Sequence, residues 1–278
     1  MFNISDAGDY IGEGEIILPD LISRSQNRVA ESAIREIPIK IWIYRMDNGS
    51  GNTSVQGAFD LIDDVNILFE GTNIQLYPLC DVTFIDDTEI ATNGGSQEDF
   101  EDYTLNNRLS NALNMHFVIS HNEGWEGKAN FPDDNGDGNT QEGNSYSFAL
   151  RLNSANSLNR PNIVAHEIGH CFGLMHTQES RCNQPNNSDC GNCYQESVSR
   201  TKTQGAFCLS QVGDLKCETN GDRLCDTLGD PDQTGDVSVQ DCIYNAGGTD
   251  NWGDNWLPDT NNIMSQSTVS CLLIFSLS

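Results

Sequence analysis

The stretch VAHEIGHCFGLMHT, residues 164–177, decides how the rest of the chain is read. His166 and His170 are four residues apart, so on a helix both imidazoles project from one face, one turn apart. Pro161 suits the first turn of that helix, which is predicted to run to about Phe172. Glu167 sits beside the pair without needing to be a ligand, placed to take a proton from a water on the metal. Gly173 can end the helix in a left-handed turn, and the chain then swings round so that His176 supplies a third nitrogen. Three protein ligands leave one position open for water, which marks a catalytic rather than a structural zinc site. A chance match at these five positions is expected in on the order of one in a hundred thousand chains of this length, so a coincidental string on a core helix is set aside.

Upstream, the periodicities predict alternating elements. IPIKIWIYRM (37–46) is a β-branched and aromatic run suited to a buried strand. Residues 54–70 place Val55, Ala58, Phe59, Ile62, Val65 and Phe69 at helical spacing, with Gly71 as the C-terminal cap. NIQLYPL and VTFI (73–85) and MHFVI (115–119) read as strands, and the acidic segment 86–112 as loop. Residues 122–145 hold five glycines and read as a long loop. YSFALRL (146–152) alternates apolar and small or polar residues as a half-exposed strand should. Beyond His176 periodicity fades and Cys, Asn, Asp and Gly dominate, which marks an irregular, disulfide-stapled region.

The balance of charge excludes whole classes of partner. With 41 acidic and 14 basic side chains the net charge is −27, which repels nucleic acid and anionic membranes. No apolar run approaches the length of a membrane span. Ten cysteines, nine of them between Cys171 and Cys271, point to an oxidising compartment and a secreted protein. Residues 1–36 are polar and lack a basic and an apolar leader segment, so they read as a lead-in or propeptide remnant rather than a signal peptide. Sequons stand at Asn3, Asn48, Asn52 and Asn186.

HExxHxxGxxH over His166–His176 is the metzincin signature, and several blocks narrow the resemblance. Thr177, directly after the third histidine, is similar to the pappalysin branch of the metzincin zinc metallopeptidases. GDRLCDT (221–227) resembles the block that pappalysins carry after the zinc motif, and NNIMSQS (261–267) resembles the Met-turn, with Cys271 a few residues on. The resemblance is sharp over about 160–271 and only architectural over 37–152. It implies an α+β, metzincin-like zincin fold: a twisted mixed sheet with two helices above a cleft, and a small irregular, disulfide-rich lower subdomain containing the Met-turn. The implied division is 37–173 for the upper subdomain and 174–278 for the lower one.

The resemblance also implies a zinc endopeptidase acting on extended polypeptides. His166, His170 and His176 would hold one zinc ion, Glu167 would be the catalytic base, and Met264 would be an apolar floor beneath the metal. Asp222, Asp226 and Thr227 are the candidate ligands of a structural calcium ion, with a solvated acidic turn as the alternative. YSFALRL would be the edge strand along which substrate pairs.

The sequence departs from the family at three points. Gln266 stands where pappalysins carry Tyr, Leu228 stands where they carry Pro, and the chain stops at Ser278 where they continue into a helix, so a truncated domain is the expectation. Those departures keep open an alternative: a catalytically impaired zinc-binding domain acting as an extracellular binding module. Smaller signals read blandly. The loop 133–143 begins like a calcium-binding loop but has Asn144 where the closing Glu belongs. Cys190 and Cys193 read as disulfide halves, Cys171 as a packing residue, and His116 and His121 as non-ligands.

Overall fold

β1 (Arg35–Arg45) is the spine of a six-stranded mixed sheet in the order β2-β1-β4-β6-β5, with β3 also paired to β1. β2 (Ile74–Pro78) and β3 (Thr83–Asp86) pair in parallel with the first and second halves of β1. β4 (Leu113–Val118) and β6 (Ser147–Arg151) follow in parallel, and β5 (Gly127–Ala129) closes the sheet antiparallel to β6. The computed structural model describes residues 33–51, 53–93, 96–120, 125–130, 146–152, 160–178, 196–204, 213–231, 233, 235–267 and 271–272. Residues 1–32 of the expected lead-in, the loop 133–143, Cys190, Cys193, His121 and the sequons at Asn3, Asn52 and Asn186 lie outside these. By its contacts the chain divides into Met1–Gly173 and Leu174–Ser278.

In the first unit, strand alternation sorts the core into two faces. Ile39, Ile41, Ile43, Met115, Phe117 and Phe148 are buried on one of them. Trp42, Tyr44, His116, Val118 and Ala149 lie on the other. Fully burying each large apolar side chain contributes roughly 1.5–3 kcal/mol, so these strands supply a large share of the unit's apolar burial. α1 (Val55–Leu68) starts at Ser54, whose hydroxyl accepts from Gly57 N–H, and buries Ala58, Leu61, Ile62 and Val65. α1 packs against β2 and against α4 (Pro161–Cys171), and α4 in turn packs on β5 and β6. The C-cap of α1 is Phe69 rather than the expected Gly71, which follows two residues on with φ +87°.

Three further expectations need correction. The acidic segment 86–112 is not a loop: it holds α2 (Thr88–Asn93) and α3 (Gln97–Asn106). Phe100, Tyr103 and Thr104, at helical spacing, are buried there, and Phe100 and Tyr103 pack with Ala91 and Tyr44. Three anchored residues outweigh an acidic outer face. The glycine-containing stretch 122–145 contributes β5. Finally, β6 is neither half-exposed nor an edge: Ser147, Phe148, Ala149 and Leu150 are buried because β4 and β5 flank the strand and helices cover it.

In the second unit regular structure is sparse. Among the described residues it has α5 (Lys216–Thr219) and three isolated bridges, Thr203–Leu215, Val237–Tyr244 and Thr249–Asn255. Disulfides join Cys217 to Cys225 and Cys242 to Cys271. The buried side chains are largely polar or charged, among them Glu196, Lys216, Asp222, Asp230 and Asp250.

Candidate metal centre

α4 has Pro161 in its first turn, where the missing N–H costs nothing, and Val164, Ala165 and Ile168 anchor it in the core. It ends as its sequence dictates. Phe172 N–H donates to the carbonyls of Ile168 and Gly169, Gly173 N–H donates to that of His170, and Gly173 takes φ +85°. The histidines of the helix face one another, with Nε2 of His166 and of His170 3.1 Å apart and the rings edge-on at 4.6 Å. His176 joins them after the turn, and one ligand atom from each of the three lies within 4.8 Å of the others. Among the described residues this is the one group of three or more His, Cys, Asp or Glu side chains so placed. Three imidazole donors with no carboxylate or thiolate suit a zinc ion with a position left for water or substrate.

Glu167 points from the same helix and is 6% exposed. Burial pushes its carboxyl up to about 8, and a cation bound beside it acts in the opposite direction. The carboxyl lies against Gly127 of β5. The preceding residue, Glu126, accepts from Arg160 at the start of α4 and lies 3.9 Å from the Arg151 guanidinium. Sequence reasoning found neither Gly127 nor this ion pair, since both sit in a stretch with no apolar periodicity.

The other predicted residues fall in the second unit. Met264 is buried in a turn where its N–H donates to Asn262 Oδ1 at 2.8 Å and Ser265 N–H donates to Asn262 O at 3.0 Å. The carbonyl of Met264 accepts from Thr177 N–H at 3.1 Å, which ties this turn to the residue following His176. Thr177 Oγ1 in turn donates to Asp230 Oδ2 at 2.5 Å. Asp222 and Thr227 are in direct contact: the Thr hydroxyl reaches the carboxylate at 2.7 and 2.9 Å, and Leu224 N–H donates to it as well. Burial raises the Asp222 carboxyl to about 6 against those donors. Asp226 follows Cys225 of the disulfide and is half-buried. Gln266 is exposed.

His116 lies apart from the trio, on the α3 side of the sheet. It is fully buried, stacked on Trp42 and Tyr44, and desolvation pushes its pKa down to about 3. Cys171 is buried with its thiol toward Ser147 O at 3.7 Å, and Cys80 is exposed and unbridged.

A sequence model described as Metallo-peptidase family M12 matches residues 44–211, more than half of the chain and the whole of the histidine segment. Among curated proteins nothing matches. Similar solved structures include a promirolysin mutant from Tannerella forsythia, at 13% identity and a TM-score of 0.49 over 93% of this chain and 83% of that one. Metalloproteinase-II from Bacteroides fragilis is similar at 13% identity and TM-score 0.34, over 56% of this chain and 47% of that one. A chaperone–substrate complex is similar at 13% identity and TM-score 0.37, over 61% of this chain and 30% of that one. The chain thus spans less than two thirds of the last two. The extent of the family match, over a sheet and helix that bring three imidazoles together, places this chain in Metallo-peptidase family M12.

Proposed function

We propose that the chain is a secreted zinc endopeptidase of the pappalysin branch that cuts extended polypeptides at His166, His170, His176 and Glu167. The observation that carries this reading is the convergence of three imidazoles, two of them on the helix that also carries a buried carboxyl. A zinc ion held there supplies Lewis-acid activation of the peptide carbonyl and of the attacking water. Glu167 takes a proton from that water as its oxygen bonds to the carbonyl carbon. It then gives the proton to the departing amine nitrogen as the C–N bond breaks. The sheltered position of Glu167 keeps competing water from the carboxylate.

Since β5 covers β6, the edge role expected of β6 passes to β5, which is where an extended substrate would pair by strand addition. The buried turn at Met264, hydrogen-bonded to Thr177, supports the Met-turn assignment. The disulfides support an oxidising, extracellular setting. Asp222, Asp226 and Thr227 remain the candidate calcium ligands of the same reading, on the chemistry of their hard oxygens.

The test is digestion of casein or a quenched peptide by the zinc-loaded chain, with phenanthroline or EGTA added and with Glu167→Ala alongside. Cleavage should stop with phenanthroline and fall by about 100-fold or more in Glu167→Ala. Cleavage that survives Glu167→Ala sinks the assignment of the base. A wild-type chain that binds one zinc but cuts nothing favours the binding module to which Gln266 points.

A further inference from the structure

Gly127 opens β5 opposite Leu150 of β6. Alternation turns its side-chain position toward α4 and sends Lys128 the other way, where Nζ sits 5.3 Å over the Phe100 ring. A methyl group on Gly127 would stand 2.5 Å from Glu167 Oε1, 2.7 Å from Cγ and 2.9 Å from Cδ. Atoms in a packed interior do not approach so closely, so any other residue at 127 must displace the Glu167 side chain. Backbone strain is not the reason for glycine here, because Gly127 is not among the left-handed glycines. Glu167 has little room to yield, being buried on a helix anchored by Val164, Ala165 and Ile168. β5 is held close as well, because Glu126 accepts from Arg160 at the start of that helix.

We propose that Gly127 is a positioning residue: bare backbone at this point of β5 is the wall against which the Glu167 carboxylate rests, and the missing Cβ sets where the carboxylate stands. The role for catalysis rests on the reading of Glu167 as the base, whereas the contact itself does not.

The test is a double-mutant cycle of Gly127→Ala and Glu167→Ala in the zinc-loaded chain. It is read by zinc content, thermal midpoint, and kcat and KM on a quenched peptide. Gly127→Ala should keep one zinc per chain, lose about 100-fold in kcat with KM changed far less, and melt several degrees lower. In the Glu167→Ala background the same substitution should leave the midpoint unchanged, since the atoms it would strike are gone. Equal midpoint losses in both backgrounds, or wild-type kcat in Gly127→Ala, overturn the proposal. If Gly127→Ala does not fold, the double variant must; a double variant that also fails to fold overturns it. If Glu167→Ala still cuts like wild type, the base reading fails, and the midpoint coupling still decides whether Gly127 places the carboxylate.

Discussion

The two units of this chain reach stability by opposite means. Met1–Gly173 is built on a sheet whose inner residues, Ile41, Met115, Phe117 and Phe148, are buried and apolar, and its helices anchor through the same kind of contact. Leu174–Ser278 buries Glu196, Asp222, Asp230 and Asp250 instead. Arg200 pairs with Glu196 at 2.5 Å, Asp250 accepts three backbone N–H groups, and the Cys217–Cys225 and Cys242–Cys271 disulfides close loops among the described residues. The lesson is that a region too irregular to pair its backbone in ladders must satisfy buried polar groups by side chains and restrain its loops covalently.

That contrast can be broken by experiment. The largest effect should come from Phe117→Ala, which opens a cavity in the sheet core and should destabilise the first unit by about 3–5 kcal/mol in denaturant unfolding. A cost below about 1 kcal/mol would mean that apolar packing is not what holds this unit. Next, replacing Cys242 and Cys271 together by Ser should destabilise the second unit by about 2–4 kcal/mol while β4 amides keep their exchange protection. Loss of protection in both units alike would erase the distinction.

The smallest and sharpest difference is in pH. His116 is held at about 3 against an ordinary 6.5, so the unfolded chain binds its proton first. With Glu167 replaced by Ala, because that carboxyl is raised to about 8 and acts in the opposite sense over the same range, stability of the first unit should therefore fall as pH drops below 6.5, by roughly 2 kcal/mol between pH 7 and pH 5. Glu196 and Asp222 are displaced the other way, to about 8 and about 6, chiefly by desolvation. For Glu196 this burial outweighs the Arg200 guanidinium and the Asp230 N–H, both of which favour the ionised form. The folded second unit then holds protons that the unfolded chain releases, so its stability should decline as pH rises from about 5 to 8. In the Glu167→Ala chain, protection factors of β4 amides and of amides in 215–227, followed across pH 5–8, should move in opposite directions. Parallel movement would refute the assignment of these groups.

The histidine segment was legible without any structure because its geometry is local. Four residues place His166 over His170, and Gly173 lets the backbone turn so that His176 comes back. β1, α1, β4 and α4 were legible for the same reason, since each carries its own period of apolar residues. Only the tertiary structure decided the rest. β5 has three residues and no apolar signal, and exists because β6 offers it a partner. β6 became an inner strand rather than an edge for the same reason. α2 and α3 were hidden under acidic residues until Phe100 and Tyr103 found Tyr44 across 56 or more residues of chain. The proximity of Gly127 to Glu167, forty residues apart in sequence, follows from register and helix packing together. Local periodicity can be read one segment at a time, whereas pairing, burial and close approach are properties of two segments at once.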